Sequence, residues 1–149
     1  MNPIGAILLV EDDTDDVDLT RRAIQKNDLR CEIAIARSGQ EALDYLVAAC
    51  ANSGRNPAGV PRVVLLDLKL PKVDGIAVLR HLRTDERTRR LPVVALTSSN
   101  EQEDILASHA LGVNSFVRKP VNFSDFVKAI GILGRYWLQL NEPPPVPNP

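Results

Sequence analysis

The sequence predicts an α/β fold, a parallel sheet with helices packed on both of its faces. Three features lead there. Short runs such as Ile7-Leu8-Leu9-Val10 and Val63-Val64-Leu65-Leu66 are apolar at every position, as strands buried on both faces are. Amphipathic segments alternate with such runs, five strand–helix pairs in succession. Two of the runs stop abruptly in acid, one at Glu11-Asp12-Asp13 and one at Asp67. Open α/β sheets hold their sites at the carboxyl ends of the strands, so these carboxylates are expected to converge.

The elements follow in order. Strands are expected at Ala6–Val10, Glu32–Ala36, Val63–Asp67, Val93–Thr97 and Ser115–Arg118. Helices are expected at Asp15–Lys26, Gly39–Ala51, Ile76–Thr84, Glu101–Ala110 and Phe123–Leu140. Ser38 and Glu41 have capping-box spacing at the start of the second helix. Gly112 stands where a C-terminal cap ends the fourth helix, and Asn122 where a side chain caps the fifth. The segment Asn52–Pro61 carries Gly54, Pro57, Gly59 and Pro61 and reads as an extended surface loop. Glu142–Pro149 holds five prolines, which cannot continue a helix and favour extended conformations. The organisation expected is one domain over residues 1–140 and a proline-rich tail over 141–149, disordered or engaged at an interface.

Composition narrows the function. A chain of 149 residues, 44% hydrophobic and 25% charged, fits one soluble domain. Its net charge of −1 and lack of a basic stripe argue against nucleic acid as the main partner. No apolar run approaches the roughly 20 residues that span a bilayer, and the N-terminus does not read as a signal peptide; a cytoplasmic protein is expected. Cys31 and Cys50 lie in no metal-like spacing and read as reduced structural thiols. Only two histidines, His81 and His109, are present, which argues against a zinc site.

The strand ends carry the chemistry. Asp12 and Asp67 close the first and third strands, Thr97 the fourth and Lys119 the fifth. Each alone is weak evidence, since a strand-terminal Asp often caps a helix and a lysine is usually solvated. As a set along one strand–helix series they are specific. Clustered carboxylates repel unless a cation neutralises them, and hard oxygen donors favour Mg²⁺. The set suits phosphoryl transfer to a carboxylate. Asp67 would attack phosphorus, Lys119 would balance a phosphoryl oxygen, and the Thr97 hydroxyl would donate to another.

With these residues in view, the chain resembles the receiver domains of two-component response regulators. The matching features are Glu11-Asp12-Asp13, Asp67 within Leu65-Leu66-Asp67-Leu68-Lys69-Leu70-Pro71, the Asp74-Gly75 turn, Thr97-Ser98 and Lys119-Pro120, and they cover about residues 6–140. The resemblance implies a flavodoxin-like, doubly wound sheet of strand order 2-1-3-4-5. It implies that Asp67 accepts a phosphoryl group from a phosphohistidine on a sensor histidine kinase. Mg²⁺, with Mn²⁺ or Ca²⁺ as possible substitutes, would be held by Glu11, Asp12, Asp67 and the backbone carbonyl of Lys69. Asp13 reads as a solvated or helix-starting residue instead. The resemblance also implies a switch, in which Thr97 moves toward the phosphoryl group and the aromatic of the fifth strand, here Phe116, turns inward. Lys69 and Ser99 match the two positions that tune the lifetime of the acyl phosphate. Lys69 is expected to limit water access or to pair with an acidic neighbour.

The Asn52–Pro61 insertion, the Leu70-Pro71-Lys72 turn and the long last helix resemble the stand-alone regulators paired with bacterial phytochrome kinases. Phe126, Ile130, Leu133, Trp137 and Leu140 recur at steps of 4, 3, 4 and 3, a heptad-like stripe, with Tyr136 beside it. A helix of this length reaches about 27 Å, longer than a short sheet needs. A homodimer through these six residues, joined by neighbouring fourth-helix and fifth-strand surface, is the expectation. The alternative is that the stripe packs on the chain's own sheet. Among other functions, a Mg²⁺-dependent aspartyl-phosphate phosphohydrolase would need an acid two residues after Asp67, where Lys69 stands. A nucleotide-binding flavodoxin-like protein would need a phosphate loop where Glu11-Asp12-Asp13 stands. A receiver that is never phosphorylated conflicts with the intact Asp12, Asp67, Thr97 and Lys119. The reading is therefore a signalling protein rather than an enzyme.

Overall fold

The computed structural model describes residues 5–145. Strands β1 (Ala6–Val10), β2 (Glu32–Ala36), β3 (Val63–Leu66), β4 (Val93–Thr97) and β5 (Ser115–Arg118) form one parallel sheet in the order β2-β1-β3-β4-β5. Helices α1 (Thr14–Lys26), α2 (Gly39–Ala51), α3 (Gly75–Thr84), α4 (Gln102–Ala110) and α5 (Phe123–Arg135) connect and follow the strands. A single 3₁₀ turn, Pro57–Gly59, breaks the long loop before β3. The order reverses at β1, so the switch point lies between β1 and β3, beside the acidic strand ends.

Alternate residues of the three central strands serve two cores. Leu8, Val10, Val64, Leu66, Val93 and Ala95 pack against Ala42 and Leu46 of α2 and Val78, Leu79 and Leu82 of α3. Ile7, Leu9, Val63, Leu65, Val94 and Leu96 pack against Val17, Ala23 and Ile24 of α1 and Phe126 and Ile130 of α5. Both faces being covered explains why the runs are apolar throughout. Helix α4 buries only Ser108.

The caps match the sequence. The Ser38 side chain accepts from Glu41 N–H at 3.1 Å, and Asn122 from Asp125 N–H at 3.2 Å. Gly112, at φ +78°, ends α4 in a Schellman motif, with Gly112 N–H bonded to His109 O and Val113 N–H to Ser108 O. Cys31 and Cys50 are half-buried, and burial pushes both thiols up, as expected of structural cysteines. No helix among the described residues is long and apolar enough to cross a membrane.

The last helix departs from expectation. It is α-helical only to Arg135; Tyr136–Leu140 form a π-turn closed by Asn141 N–H on Tyr136 O at 2.7 Å. A π-turn widens the helix by one residue and shifts its phase. Leu138, outside the heptad stripe, is thereby buried at 4% exposure. Phe126 and Ile130, expected at a dimer interface, are 5% and 1% exposed and belong to the chain's own core. Their stripe faces the sheet, where a single helix first satisfies its apolar side. Leu133 and Trp137 pack partly on the same core, and Tyr136 and Leu140 stay outside it. Smaller differences are that Asp67 lies one residue beyond β3 and that α1, α3 and α4 start one residue away from the expected positions. The proline-rich tail is described only to Pro145; positions 146–149 lie outside the described residues.

Arg83 locks the end of the sheet opposite the acids. Its Nε and Nη2 each donate to Gly112 O at 3.1 Å, Nη1 donates to Arg89 O and Leu91 O, and Nη2 also reaches Asn114 Oδ1. Asn114 Oδ1 accepts Val93 N–H as well, at 2.9 Å, where β4 begins. One planar fork thus joins α3, the entry to β4 and the turn after α4. Arg83→Lys keeps the charge but not the fork. It is expected to lower stability by about 1–3 kcal/mol, seen as a lower denaturant midpoint at unchanged slope.

Candidate functional site

Backbone bonds one residue past the strand ends set the site. Glu11 N–H bonds Ala36 O at 3.0 Å, Asp67 N–H bonds Val10 O at 3.1 Å, and Lys119 N–H bonds Thr97 O at 2.9 Å. The ladders therefore fix Glu11, Asp67 and Lys119 although none lies inside a strand. Asp13 then turns the chain into α1. It is the N-cap, its Oδ1 accepting Asp15 N–H at 2.8 Å and Asp16 N–H at 3.2 Å. That leaves Glu11 and Asp12 at the mouth of the crevice.

Asp67 Oδ1 accepts the Thr97 hydroxyl at 2.9 Å and Lys69 N–H at 3.0 Å. Lys119 Nζ lies 2.9 Å from Glu11 Oε1, 3.1 Å from Asp16 Oδ2 and 3.7 Å from Asp67 Oδ2. Thr97 is fully buried, and the Asp67 and Lys119 side chains are 12% and 15% exposed. Low exposure strengthens each of these interactions relative to water.

The electrostatics record a surplus of acid. Burial, with the neighbouring Asp67 and Asp16 carboxyls, pushes the Glu11 pKa up to about 9 against the pull of Lys119. Burial also opposes ionisation of Asp67, but the neighbouring Glu11 carboxyl, the Lys69 N–H, the Lys119 charge and the Thr97 hydroxyl outweigh it and hold its pKa below the usual carboxylate range. Burial likewise opposes the Lys119 charge, and its three acidic neighbours more than restore it. The Asp16 pKa is lowered, chiefly by the neighbouring Glu11 carboxyl.

Carboxylate oxygens of Glu11, Asp12 and Asp67 gather within 4.8 Å of one another. Glu11 Oε2 is buried without a hydrogen-bond partner. An orphaned buried oxygen beside two further carboxylates fits a hard divalent cation.

The structure thus brings Glu11, Asp12, Asp67, Thr97 and Lys119 together. Lys69 follows Asp67, with its ammonium directed to α4, 3.1 Å from Asp104 Oδ2 and 3.6 Å from Glu101 Oε1. Ser99 Oγ donates to the same Asp104 oxygen at 2.5 Å. Phe116 pairs with Ala95 across β4 and β5 and packs, partly buried, on the α2–α3 core. Sequence reasoning missed Asp16 and Asp104. Nothing in the sequence separates Asp16 from Asp15 and Asp18, or Asp104 from Glu101 and Glu103.

Comparisons with known proteins agree with this geometry. Residues 7–131 match the response regulator receiver domain. Response regulator Rcp1 of Synechocystis sp. is 36% identical over 140 residues, covering 93% of this chain and 92% of that protein. The crystal structure of its Mn²⁺-bound form superimposes with a TM-score of 0.80 at 33% identity, covering 95% and 99% of the two chains. The phosphorylated cyanobacterial phytochrome response regulator RcpA gives a TM-score of 0.82 at 34% identity, again over 95% and 99%. The bacteriophytochrome response regulator AtBRR is 51% identical with a TM-score of 0.69, over 93% and 98%. Phosphoryl acceptance from a kinase is the general role of these domains. By sequence, fold and site, this chain belongs to the response regulator receiver domain family.

Proposed function

We propose that Asp67 is the phosphoryl acceptor of this receiver, taking its phosphoryl group from a sensor histidine kinase. The observation that carries the reading is the placement of Thr97 Oγ1 and Lys119 Nζ on the two oxygens of one largely buried carboxylate. The Asp67 oxygen would bond to phosphorus as the phosphorus–nitrogen bond of the phosphohistidine breaks, its electron pair returning to the imidazole. Lys119 would hold a phosphoryl oxygen and the Thr97 hydroxyl another. Glu11, Asp12, Asp67 and the Lys69 carbonyl would hold Mg²⁺, which when bound neutralises charge on the transferring oxygens. Movement of Thr97 with Phe116, a phenylalanine without a hydroxyl to bond, would pass the charge change to the β4–β5 face.

The resemblance to RcpA, a phytochrome response regulator, and to AtBRR, a bacteriophytochrome response regulator, supports a bacteriophytochrome as the kinase. Lys69, where a phosphohydrolase would carry an acid, supports storage of the phosphoryl group over turnover. Incubation with Mg²⁺ and acetyl phosphate, followed by peptide mapping, tests the reading. One phosphoryl group on the peptide holding Asp67 is expected, and labelling elsewhere would refute it.

A homodimer is proposed over the part of the last helix that remains outside the core. Ile132, Tyr136 and Leu140 are 65%, 45% and 76% exposed, and Leu106 and Val121 add exposed apolar surface from α4 and the turn into α5. Tyr136→Glu is expected to convert a sedimenting dimer to monomer with the fold intact. A wild type that stays monomeric at high concentration would refute the dimer.

A further inference from the structure

Five residues, the acceptor among them, form a closed ring of polar contacts through side chains and two backbone N–H groups. Asp67 Oδ1 accepts the Thr97 hydroxyl, and Thr97 Oγ1 in turn accepts Ser99 N–H at 3.3 Å. Ser99 Oγ donates to Asp104 Oδ2, which also receives Lys69 Nζ, and Lys69 N–H returns to Asp67 Oδ1. Asp67, Lys69 and Ser99 sit on the loops after β3 and β4 and Thr97 ends β4; only Asp104 comes from a helix. Its place on α4 is fixed by the fully buried Ser108, whose hydroxyl donates to Asp104 O at 2.7 Å.

We infer that Asp104 is a positioning residue for the acyl phosphate, setting its lifetime by holding the Lys69 ammonium and Ser99 hydroxyl back from Asp67. The inference rests on Asp67 being the acceptor. Phosphorylation would place a charge of about −1.5 to −2 on Asp67 and so compete with Asp104 for Lys69. Glu101, at 3.6 Å and 62% exposed, is a weaker second holder. In hydrolysis a water oxygen bonds to phosphorus, and the phosphorus–oxygen bond to Asp67 breaks. The electron pair returns to the carboxylate, and both water protons leave on inorganic phosphate. A lysine released from Asp104 would lie over the phosphoryl oxygens, where it hinders that water. Asn at 104 still accepts from Ser99, so Asp104→Asn isolates the effect of the charge.

The test measures acyl-phosphate half-life in Mg²⁺ for wild type, Asp104→Asn, Asp104→Glu, Lys69→Ala and the Asp104→Asn/Lys69→Ala double variant. Asp104→Asn should lengthen the half-life about fivefold, the scale of one partly exposed ion pair. Asp104→Glu should return it toward wild type. In the Lys69→Ala background, Asp104→Asn should change nothing. An unchanged half-life, or the same lengthening without Lys69, would overturn the inference. If wild type takes no phosphoryl group, it is the Asp67 reading that fails. Mg²⁺ titration by calorimetry then decides the role of Asp104. A freed Lys69 should weaken Mg²⁺ binding about threefold in Asp104→Asn but not in the double variant, again on the scale of a partly exposed pair. Equal affinities would refute it.

Discussion

Asp67→Asn is expected to abolish phosphoryl uptake from a kinase or from acetyl phosphate while leaving the fold intact. The amide has nearly the shape of the carboxylate, and its oxygen can still accept the Thr97 hydroxyl and Lys69 N–H that now meet at Asp67 Oδ1. What is lost is the nucleophile and one negative charge. That charge is one of a surplus: Glu11, Asp16 and Asp67 face the ammonium of Lys119, Asp12 lies beside Glu11 and Asp67, and the Glu11 pKa is pushed up to about 9, first by burial and then by its acidic neighbours. Removing Asp67's charge leaves Lys119 two carboxylate partners. The groups around Asp67 favour its ionised form and hold its pKa below the usual carboxylate range, so in Mg²⁺-free buffer the variant should be about 1 kcal/mol less stable than wild type, the scale of one partly screened charge contact. Saturating Mg²⁺ should widen the gap. A cation at 100 times its Kd stabilises the native state by about 2.7 kcal/mol, and the variant has lost one of the three clustered carboxylates. Thermal unfolding with and without Mg²⁺, beside intact-mass measurement after acetyl phosphate treatment, checks all three statements. A phosphoryl adduct on the variant, or Mg²⁺ raising both melting temperatures equally, would contradict this assignment of roles.

The division between what the sequence reveals and what it hides has a physical origin. Asp67, Thr97 and Lys119 are legible because a buried strand is apolar along its length, so a polar residue at its end stands out. The strand ladders extend to just these residues through Asp67 N–H on Val10 O and Lys119 N–H on Thr97 O. Ser38, Asn122 and Gly112 are legible because caps are local, settled within a few residues of chain. Asp16, Asp104 and Arg83 are not. Each sits among residues of its own kind on a helix or at a helix end, and its role depends on what another element brings near. Lys119 is 103 positions from Asp16, and Asn114 is 31 positions from Arg83. The last helix shows a third case. Its heptad-like spacing is compatible with a partner helix or with its own sheet, and the burial of Phe126 and Ile130 decides for the sheet. The π-turn that rotates Leu138 inward has no counterpart in the periodicity, which assumes a constant helical step.

Gly75→Ala should be strongly disruptive for the addition of one methyl group, costing stability and phosphoryl uptake together. Gly75 is the first residue of α3, behind the Asp74 cap, whose side chain accepts Ala77 N–H at 2.9 Å. Its own N–H bonds back to Leu68 O at 3.0 Å, which draws the start of the helix against the acceptor loop. A Cβ here would lie 2.4 Å from Asp67 O, 2.5 Å from Leu68 Cα and 3.0 Å from Asp67 C. All three are backbone atoms, and no rotamer change can move them aside. Either α3 backs away from the sheet or the loop carrying Asp67 shifts relative to Thr97 and Lys119. Overpacking of this kind costs about 1–3 kcal/mol, and backbone collision places Gly75→Ala at the upper end. The chemistry is less forgiving, because a displacement of about 1 Å in a reacting group can cost about 100-fold in rate. Gly134→Ala is the control. Its Cβ would come closer still, 2.2 Å, but to Leu29 Cδ1, the far end of a side chain that can rotate, in the α1–α5 packing away from the acceptor. That variant should lose less stability and take up phosphoryl groups at the wild-type rate. Denaturant unfolding and initial labelling rates for both variants separate the two cases. If Gly75→Ala is labelled as fast as Gly134→Ala, the close seating of α3 on the acceptor loop does not position Asp67. If it is labelled about 100-fold more slowly while still folded, the Asp74-Gly75 turn is part of the phosphorylation site, acting through the backbone that carries the acceptor.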